Sequence, residues 1–92
     1  MSKTQMHAVM RGKVQGVFFR DTTRKMAVML GICGTVQNLP DDTVEIYAQG
    51  ERPELELLVS RLTAGSGPGE VSDCEVQFGE PDRSFDGFQI IF

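Results

Sequence analysis

The spacing of the apolar residues changes along this chain from every second position to every third or fourth, and this change limits the folds it can adopt. Met6, Ala8 and Met10 alternate with other residues, which predicts a strand with one buried face. From Phe19 onward the spacing becomes helical and predicts one buried stripe of a helix. The strand is predicted over residues 4–11, and the stripe consists of Phe19, Thr23, Met26, Ala27 and Leu30.

The rest of the chain repeats these two patterns. Gly31 suits the end of the first helix, and Pro53 suits the first turn of a second one. Two β-type segments between them flank a turn and predict a hairpin. The hairpin strands are predicted at 32–37 and 43–48, with the turn at 39–42. The second helix is predicted from 53 to about 64 and is ended by the glycine-rich residues 65–69. A strand at Cys74, Val76 and Phe78 follows, then a polar connection at 79–87 and a last strand at Phe88, Ile90 and Phe92.

This order of elements predicts an α+β fold in one domain, residues 1–92. A βαββαβ chain of this kind packs two helices on one face of an antiparallel sheet, as a ferredoxin-like α/β sandwich. The final strand is then a short C-terminal addition to that sandwich. The fold alone specifies no function, which must come from particular residues.

The composition places the chain among small globular proteins. It has 92 residues, of which 40% are hydrophobic and 24% charged. No apolar run approaches the roughly 20 residues of a membrane span, and the first seven residues lack the apolar stretch of a secretory signal. We therefore expect no membrane association and a cytoplasmic location.

Two cysteines and one histidine leave little material for a metal or redox site. Cys33 and Cys74 do not form a CxxC pair, and His7 supplies no second soft ligand. We expect no metal and no cofactor, with both thiols reduced and largely buried. A disulfide between them stays open at this level, and His7 is interpreted as a surface or satisfied strand histidine.

The charge is distributed unevenly. The net charge is −4, which argues against general nucleic-acid binding, yet residues 1–30 carry +5 and residues 31–92 carry −9. A basic N-terminal third on an acidic protein suggests a local anion site. The alternative is a solvated basic face that binds no ligand.

The loop between the first strand and the first helix is the strongest candidate for that anion site. Its sequence, Gly12-Lys13-Val14-Gln15-Gly16-Val17-Phe18-Phe19-Arg20, combines glycine with the free N–H groups of a helix start. The arginine adds a planar fork of donors that matches phosphate oxygens. The loop is neither a Walker motif nor a dinucleotide fingerprint. The alternative is a tight turn followed by a surface arginine.

Asn38, at the end of the second strand, is the second candidate. Its amide can accept a hydrogen bond from water and donate one to phosphate, although a turn asparagine bonded to its own backbone is an alternative. Phe18 and Phe19 could stack bases as in RNA-recognition modules. The stacking aromatics of those modules, however, lie on central strands, whereas these two lie in a loop and at a helix start. Core packing is the better interpretation of Phe19.

At these two segments the sequence resembles the acylphosphatase family. The nine residues Gly12 to Arg20 carry the family's first motif complete, and this motif is highly specific. A looser second signature runs from Gly34 through Asn38 to the hairpin and on to Gly50. Similarity in length and element order covers the whole chain, and the family has the ferredoxin-like fold predicted above.

The resemblance implies an enzyme that hydrolyses acyl phosphates to carboxylate and phosphate without a metal. By position, Arg20 would bind the phosphate and Asn38 would orient the attacking water. The backbone of the loop would hold the substrate phosphate, or a phosphate or sulfate anion. The loop residues so implied are Gln15, Gly16, Val17, Phe18 and Phe19.

The sequence departs from the family pattern at two positions. Thr35 stands where the family usually has an aromatic residue, and Asp42 stands where it usually has glycine. Aspartate tolerates a positive φ better than most residues, so the turn can survive with some strain. We expect these changes to affect local stability or substrate preference rather than the activity.

Two other functions compete with hydrolysis. A non-catalytic phosphate- or anion-binding regulatory domain of the same fold is the main alternative, since ferredoxin-like domains often bind ligands without chemistry. RNA binding is disfavoured by the acidic balance. We expect a monomer, and no sequence feature identifies the acyl group of the substrate.

Overall fold

In this computed structural model, residues 3–16, 18–64 and 69–92 are described. The predicted element order is confirmed: βαββαβ with a short C-terminal strand. The elements are β1 (Thr4–Lys13), α1 (Phe19–Met29), β2 (Cys33–Asn38), β3 (Val44–Gly50), α2 (Arg52–Thr63), β4 (Glu70–Gly79) and β5 (Phe88–Ile91). None of the helices in these ranges is long and apolar enough to cross a membrane.

The five strands form one mixed sheet in the order β4-β1-β3-β2-β5. The four longer strands pair antiparallel, as the sandwich prediction requires, whereas β5 pairs parallel to β2. The connection from β4 reaches β5 at the opposite edge because two glutamines hold it: Gln49 Nε2 donates to the Arg83 carbonyl (2.6 Å) and Gln5 Nε2 donates to Asp82 (2.9 Å). This strap fixes where the last strand enters the sheet.

One face of the sheet carries the hydrophobic core. The alternating residues of β1 that the sequence singled out, Met6, Ala8 and Met10, are all fully buried. Both helices cover this face, and each contributes one stripe to the same core. The stripes are Phe19, Thr23 and Ala27 from α1, and Leu55, Leu58 and Leu62 from α2.

The opposite face of the sheet is polar and only partly covered. There His7 Nε2 lies 2.9 Å from Glu45 Oε2, and its ring packs on Tyr47 at a centroid distance of 4.5 Å. This confirms the interpretation of His7 as a strand histidine with a satisfied partner.

The end of α1 forms a glycine cap. Gly31 has a φ of +72°, and the N–H groups of Gly31 and Ile32 donate to the carbonyls of Val28 and Ala27. These two bonds are the Schellman arrangement, which satisfies the last helical carbonyls. The predicted helix stop is therefore confirmed, and it turns the chain directly into β2.

The strand boundaries differ from the prediction by up to four residues, and the differences in β1 and β5 lie nearest the loop before α1. The first strand continues through Gly12 and Lys13, because these residues still pair with β4 after a register shift that follows Arg11. The last strand ends at Ile91, and Phe92 is 93% exposed instead of facing the core.

The two thiols are free, and each is partly buried. The sheet order puts two strands between β2, which carries Cys33, and β4, which carries Cys74. Three strand spacings amount to about 14 Å. That distance exceeds the roughly 7 Å limit between the Cα atoms of a disulfide, so the fold excludes this pairing.

A substitution at Gly34 tests how closely β2 approaches β3. Its φ is +153°, and a Cβ there would overlap the Tyr47 carbonyl oxygen, so we expect Gly34→Ala to lower the free energy of unfolding by at least about 2 kcal/mol. Gly79 has open space around it and provides the matched control. In urea unfolding, Gly79→Ala should stay within about 0.5 kcal/mol of wild type. Equal stabilities of the two variants would contradict the close approach.

Candidate active site

The loop between β1 and α1 is anchored in the core at both ends. Val14, just after β1, is 1% exposed, and Phe19, the first residue of α1, is 3% exposed. Core packing of Phe19 is therefore confirmed. Phe18 between them is 80% exposed. Val17, also predicted to bind the substrate, lies outside the described residues.

The described part of this loop, residues 14–16 and 18–19, contains two left-handed residues and a helix start without a side-chain cap. Gly16 and Phe18 both have left-handed conformations, with φ of +72° and +61°. Phe18 is also the N-cap of α1, and no side chain caps this helix start. Successive left- and right-handed residues point their N–H groups into one concavity, and the helix dipole adds positive potential. This geometry suits an anion.

Gln15 ties the loop to the β2–β3 hairpin. Its side-chain Nε2 donates to the carbonyls of Leu39 (2.9 Å) and Thr43 (2.8 Å). Because Leu39 directly follows Asn38, these bonds hold the loop beside the end of β2. Both bonds use the Nε2 group of Gln15, so the donor that this residue has left for an anion is its backbone N–H.

Asn38 is the last residue of β2, opposite Val44 of β3. Its Oδ1 is buried and has no hydrogen-bond partner among the residues that the structure describes. A buried acceptor without a partner costs about 1–3 kcal/mol, so such an atom is usually matched by water or ligand. The alternative interpretation, an asparagine bonded to its own turn, is not what the described contacts show.

Arg20 lies in the first turn of α1 and keeps its charge available. The neighbouring Asp21 pairs instead with Lys25 (3.1 Å) and Arg24 (4.0 Å) along the helix. Within the described ranges, no carboxylate pairs with Arg20. Its guanidinium lies over the ring of Phe92, 4.9 Å from the centroid.

Arg20 and much of the loop line one pocket of about 240 Å³. The pocket wall is formed by Val14, Gly16, Phe18, Phe19, Arg20, Asp21, Ile90 and Phe92. Asn38 is not part of this wall and is linked to it through Gln15. A larger pocket of about 610 Å³, between Lys3, Arg52 and Phe78, contains none of the predicted site residues.

The C-terminal segment contributes to the site in a way that the sequence pattern does not indicate. The pattern predicts Ile90 and Phe92 only as apolar positions of a strand, yet both line the pocket beside Arg20. The parallel pairing of β5 with β2 brings these two residues close to α1. That pairing depends on the strap after β4, so the spacing of apolar residues in the sequence does not reveal it.

The hairpin turn holds its predicted form despite the departure at Asp42. Asp42 has a φ of +69°, as expected for a residue replacing glycine. Asp41 accepts hydrogen bonds from the Thr43 hydroxyl (2.5 Å) and N–H (3.3 Å), and the hydroxyl bond in particular lowers the pKa of that carboxyl.

Over the described ranges, no group of three or more His, Cys, Asp or Glu side chains could hold a metal ion.

The fold and the site define a class: a small ferredoxin-like α/β sandwich with an anion-accepting loop between its first strand and first helix. Known proteins agree with this description. The family model described as Acylphosphatase matches residues 6–90. An acylphosphatase of Pelotomaculum thermopropionicum is 41% identical over 92 residues, which cover 100% of both chains.

Two solved structures support the same assignment. An acylphosphatase from Coxiella burnetii is 35% identical, with a TM-score of 0.87 and coverage of 98% of this chain and 94% of that one. Acylphosphatase from Bacillus subtilis is 28% identical, with a TM-score of 0.89 and coverage of 97% and 99%. This chain belongs to the acylphosphatase family.

The Gln15 bridge between the loop and the hairpin can be tested by removing its amide. We expect Gln15→Ala to lower the free energy of unfolding by about 1–2 kcal/mol, because the hydrogen bonds to both carbonyls are lost. Chemical denaturation measures this effect. Wild-type stability would contradict the bridge.

Proposed function

We propose that this chain hydrolyses acyl phosphates to carboxylate and inorganic phosphate, without a metal, as a phosphohydrolase acting on an acid anhydride. Membership of the acylphosphatase family supports the reaction class. The observation that carries the residue assignment is the buried, unpartnered Oδ1 of Asn38 beside a loop that Gln15 holds in place. A free acceptor near this loop offers a place for a water molecule, which hydrolysis requires and anion binding alone does not.

Phosphate binding is assigned to Arg20 and the loop backbone. The Arg20 guanidinium would supply a bidentate fork, and the N–H groups of residues 15–19 would surround the remaining oxygens. Because no described carboxylate neutralises Arg20, its charge is available to the phosphoryl oxygens. Electrostatic stabilisation of the charge on these oxygens, together with positioning, is the main catalytic contribution expected for phosphoryl transfer.

Water positioning is assigned to Asn38. The free Oδ1 would accept a hydrogen bond from a water and aim its oxygen at phosphorus, in line with the leaving group. The new bond forms between the water oxygen and phosphorus while the bond from phosphorus to the acyl oxygen breaks. The carboxylate leaves with that electron pair and needs no general acid, and a phosphate oxygen takes the proton from water.

The remaining features of this function are also proposals. We propose a cytoplasmic monomer that acts on a small-molecule acyl phosphate, accepts free phosphate or sulfate in the same loop, and binds no nucleic acid. The acidic balance of the chain supports the last point. No specific observation favours the non-catalytic regulatory domain over the enzyme.

Arg20 can be tested in the presence of excess chelator. We expect wild-type hydrolysis of an acyl phosphate to resist the chelator, and Arg20→Ala to lose at least about 100-fold in kcat/KM. Arg20→Lys should remain severely impaired, because one ammonium does not reproduce the planar fork. Arg24→Ala, on the same helix but paired with Asp21, is the matched control and should keep its activity. Chelator-sensitive turnover would refute metal independence.

Asn38 offers a test that separates activity from stability. Because its Oδ1 has no described partner, Asn38→Ala should leave the free energy of unfolding unchanged or higher. The same variant should lower kcat by about 100-fold while phosphate affinity stays near wild type. Steady-state kinetics, phosphate titration and urea unfolding measure the three quantities. Wild-type turnover in this variant would exclude the water-positioning role.

A further inference from the structure

The pocket beside Arg20 is more apolar than phosphate binding requires. Five of its eight wall residues are apolar, and only Arg20 and Asp21 carry charge. The pocket has a volume of about 240 Å³. The pocket therefore has room for more than a phosphate ion, and the additional space is lined by hydrocarbon.

Two exposed aromatic rings stand at this pocket. Phe18 is 80% exposed and Phe92 is 93% exposed, so neither ring gains the burial that normally favours an aromatic side chain. Phe18 also has a left-handed backbone, which strains a residue with a Cβ. Strain of this kind concentrates at functional sites, where it fixes the direction of a side chain.

The contact between Arg20 and Phe92 leaves the arginine able to bind phosphate. The ring of Phe92 lies against the face of the guanidinium, 4.9 Å from its carbon to the ring centroid. The five N–H donors of arginine point outward in the plane of the group, away from that face. A substrate phosphate can therefore meet the edge of Arg20 while an attached group reaches the rings.

We propose that Phe18 and Phe92 form a subsite for the acyl group and that this subsite selects an uncharged aromatic acyl phosphate over a small aliphatic one. The proposal rests on the proposed function, since it extends the same pocket from the phosphate to the rest of the substrate. An aromatic acyl group would stack on these rings, whereas an acetyl group is too small to do so.

The kinetic test compares benzoyl phosphate with acetyl phosphate. The measured quantity is the ratio of the two kcat/KM values, and the comparison between variants cancels the intrinsic reactivity of each substrate. We expect Phe92→Ala and Phe18→Asn each to lower this ratio about three- to tenfold, the range for losing one aromatic contact. Asparagine is chosen at position 18 because it tolerates the left-handed backbone. Phe92→Tyr keeps the ring and should retain the wild-type ratio.

Two further results complete the kinetic test. Met29→Ala removes another exposed apolar side chain of α1, 78% exposed and away from the pocket wall, and should leave both kcat/KM values unchanged. If Phe92→Ala and Phe18→Asn lower both substrates equally, the rings serve only to position Arg20 and the loop, and the acyl subsite is refuted. A wild-type ratio in both variants refutes it as well.

A binding measurement keeps the subsite testable if the chain does not turn over these substrates. Benzoylphosphonate and acetylphosphonate carry a carbon–phosphorus bond in place of the hydrolysable linkage, and calorimetry gives their affinities directly. We expect the aromatic analogue to bind at least about threefold more tightly, and the preference to disappear in the two phenylalanine variants. If the wild-type protein hydrolyses neither substrate but still prefers the aromatic phosphonate, the proposed function is refuted and the subsite is not. If the wild-type protein binds both phosphonates with equal affinity, the subsite is refuted and the proposed function is not.

Discussion

The pairing of β1 on both of its sides is the constraint on which the rest of the molecule depends. This strand lies between β3 and β4, and its register places Met6, Ala8 and Met10 on the face that both helices cover. A slip of one residue would turn that buried set toward solvent, so the core fixes the register. The end of β1 then determines where the loop begins, and the loop determines where Arg20 lies.

The site is assembled from three chain segments that meet at one end of the sheet. The loop before α1 brings Arg20, the end of β2 brings Asn38, and the end of β5 brings Phe92. Gln15 links the first two through a pair of hydrogen bonds, and a cation–π contact links the first and third. Each of these segments adjoins a strand or helix that packs in the sheet or the core. The packing of those elements therefore fixes the positions of the three side chains relative to one another.

Most of the fold could be predicted from the sequence because its signals are local. Alternation in β1, the stripes of α1 and α2, Pro53 and Gly31 each report on a few neighbouring residues, and the structure agrees with them. The extension of β1 through Lys13 could not be predicted, because it depends on pairing with distant residues of β4. The placement of β5 beside β2 likewise depends on side chains of Gln5 and Gln49 that hold the strap.

The site divides in the same way. Arg20 and the loop were found through a contiguous motif, and their backbone geometry follows from a strand-to-helix connection with glycine at position 16. The link made by Gln15 and the ring of Phe92 came only from the structure. The bond partners of Gln15 lie more than twenty residues away, and a terminal aromatic residue resembles any other strand residue in a pattern.

The unpartnered oxygen of Asn38 has a consequence for the folded state as a whole. A buried acceptor that waits for a partner makes the native protein less stable than its packing alone would allow. Any solute that occupies the loop and orders a water against that oxygen stabilises only the folded chain. By mass action, the midpoint of thermal unfolding then depends on the buffer, and the proposed function implies better heat resistance in phosphate than in a zwitterionic buffer at equal ionic strength.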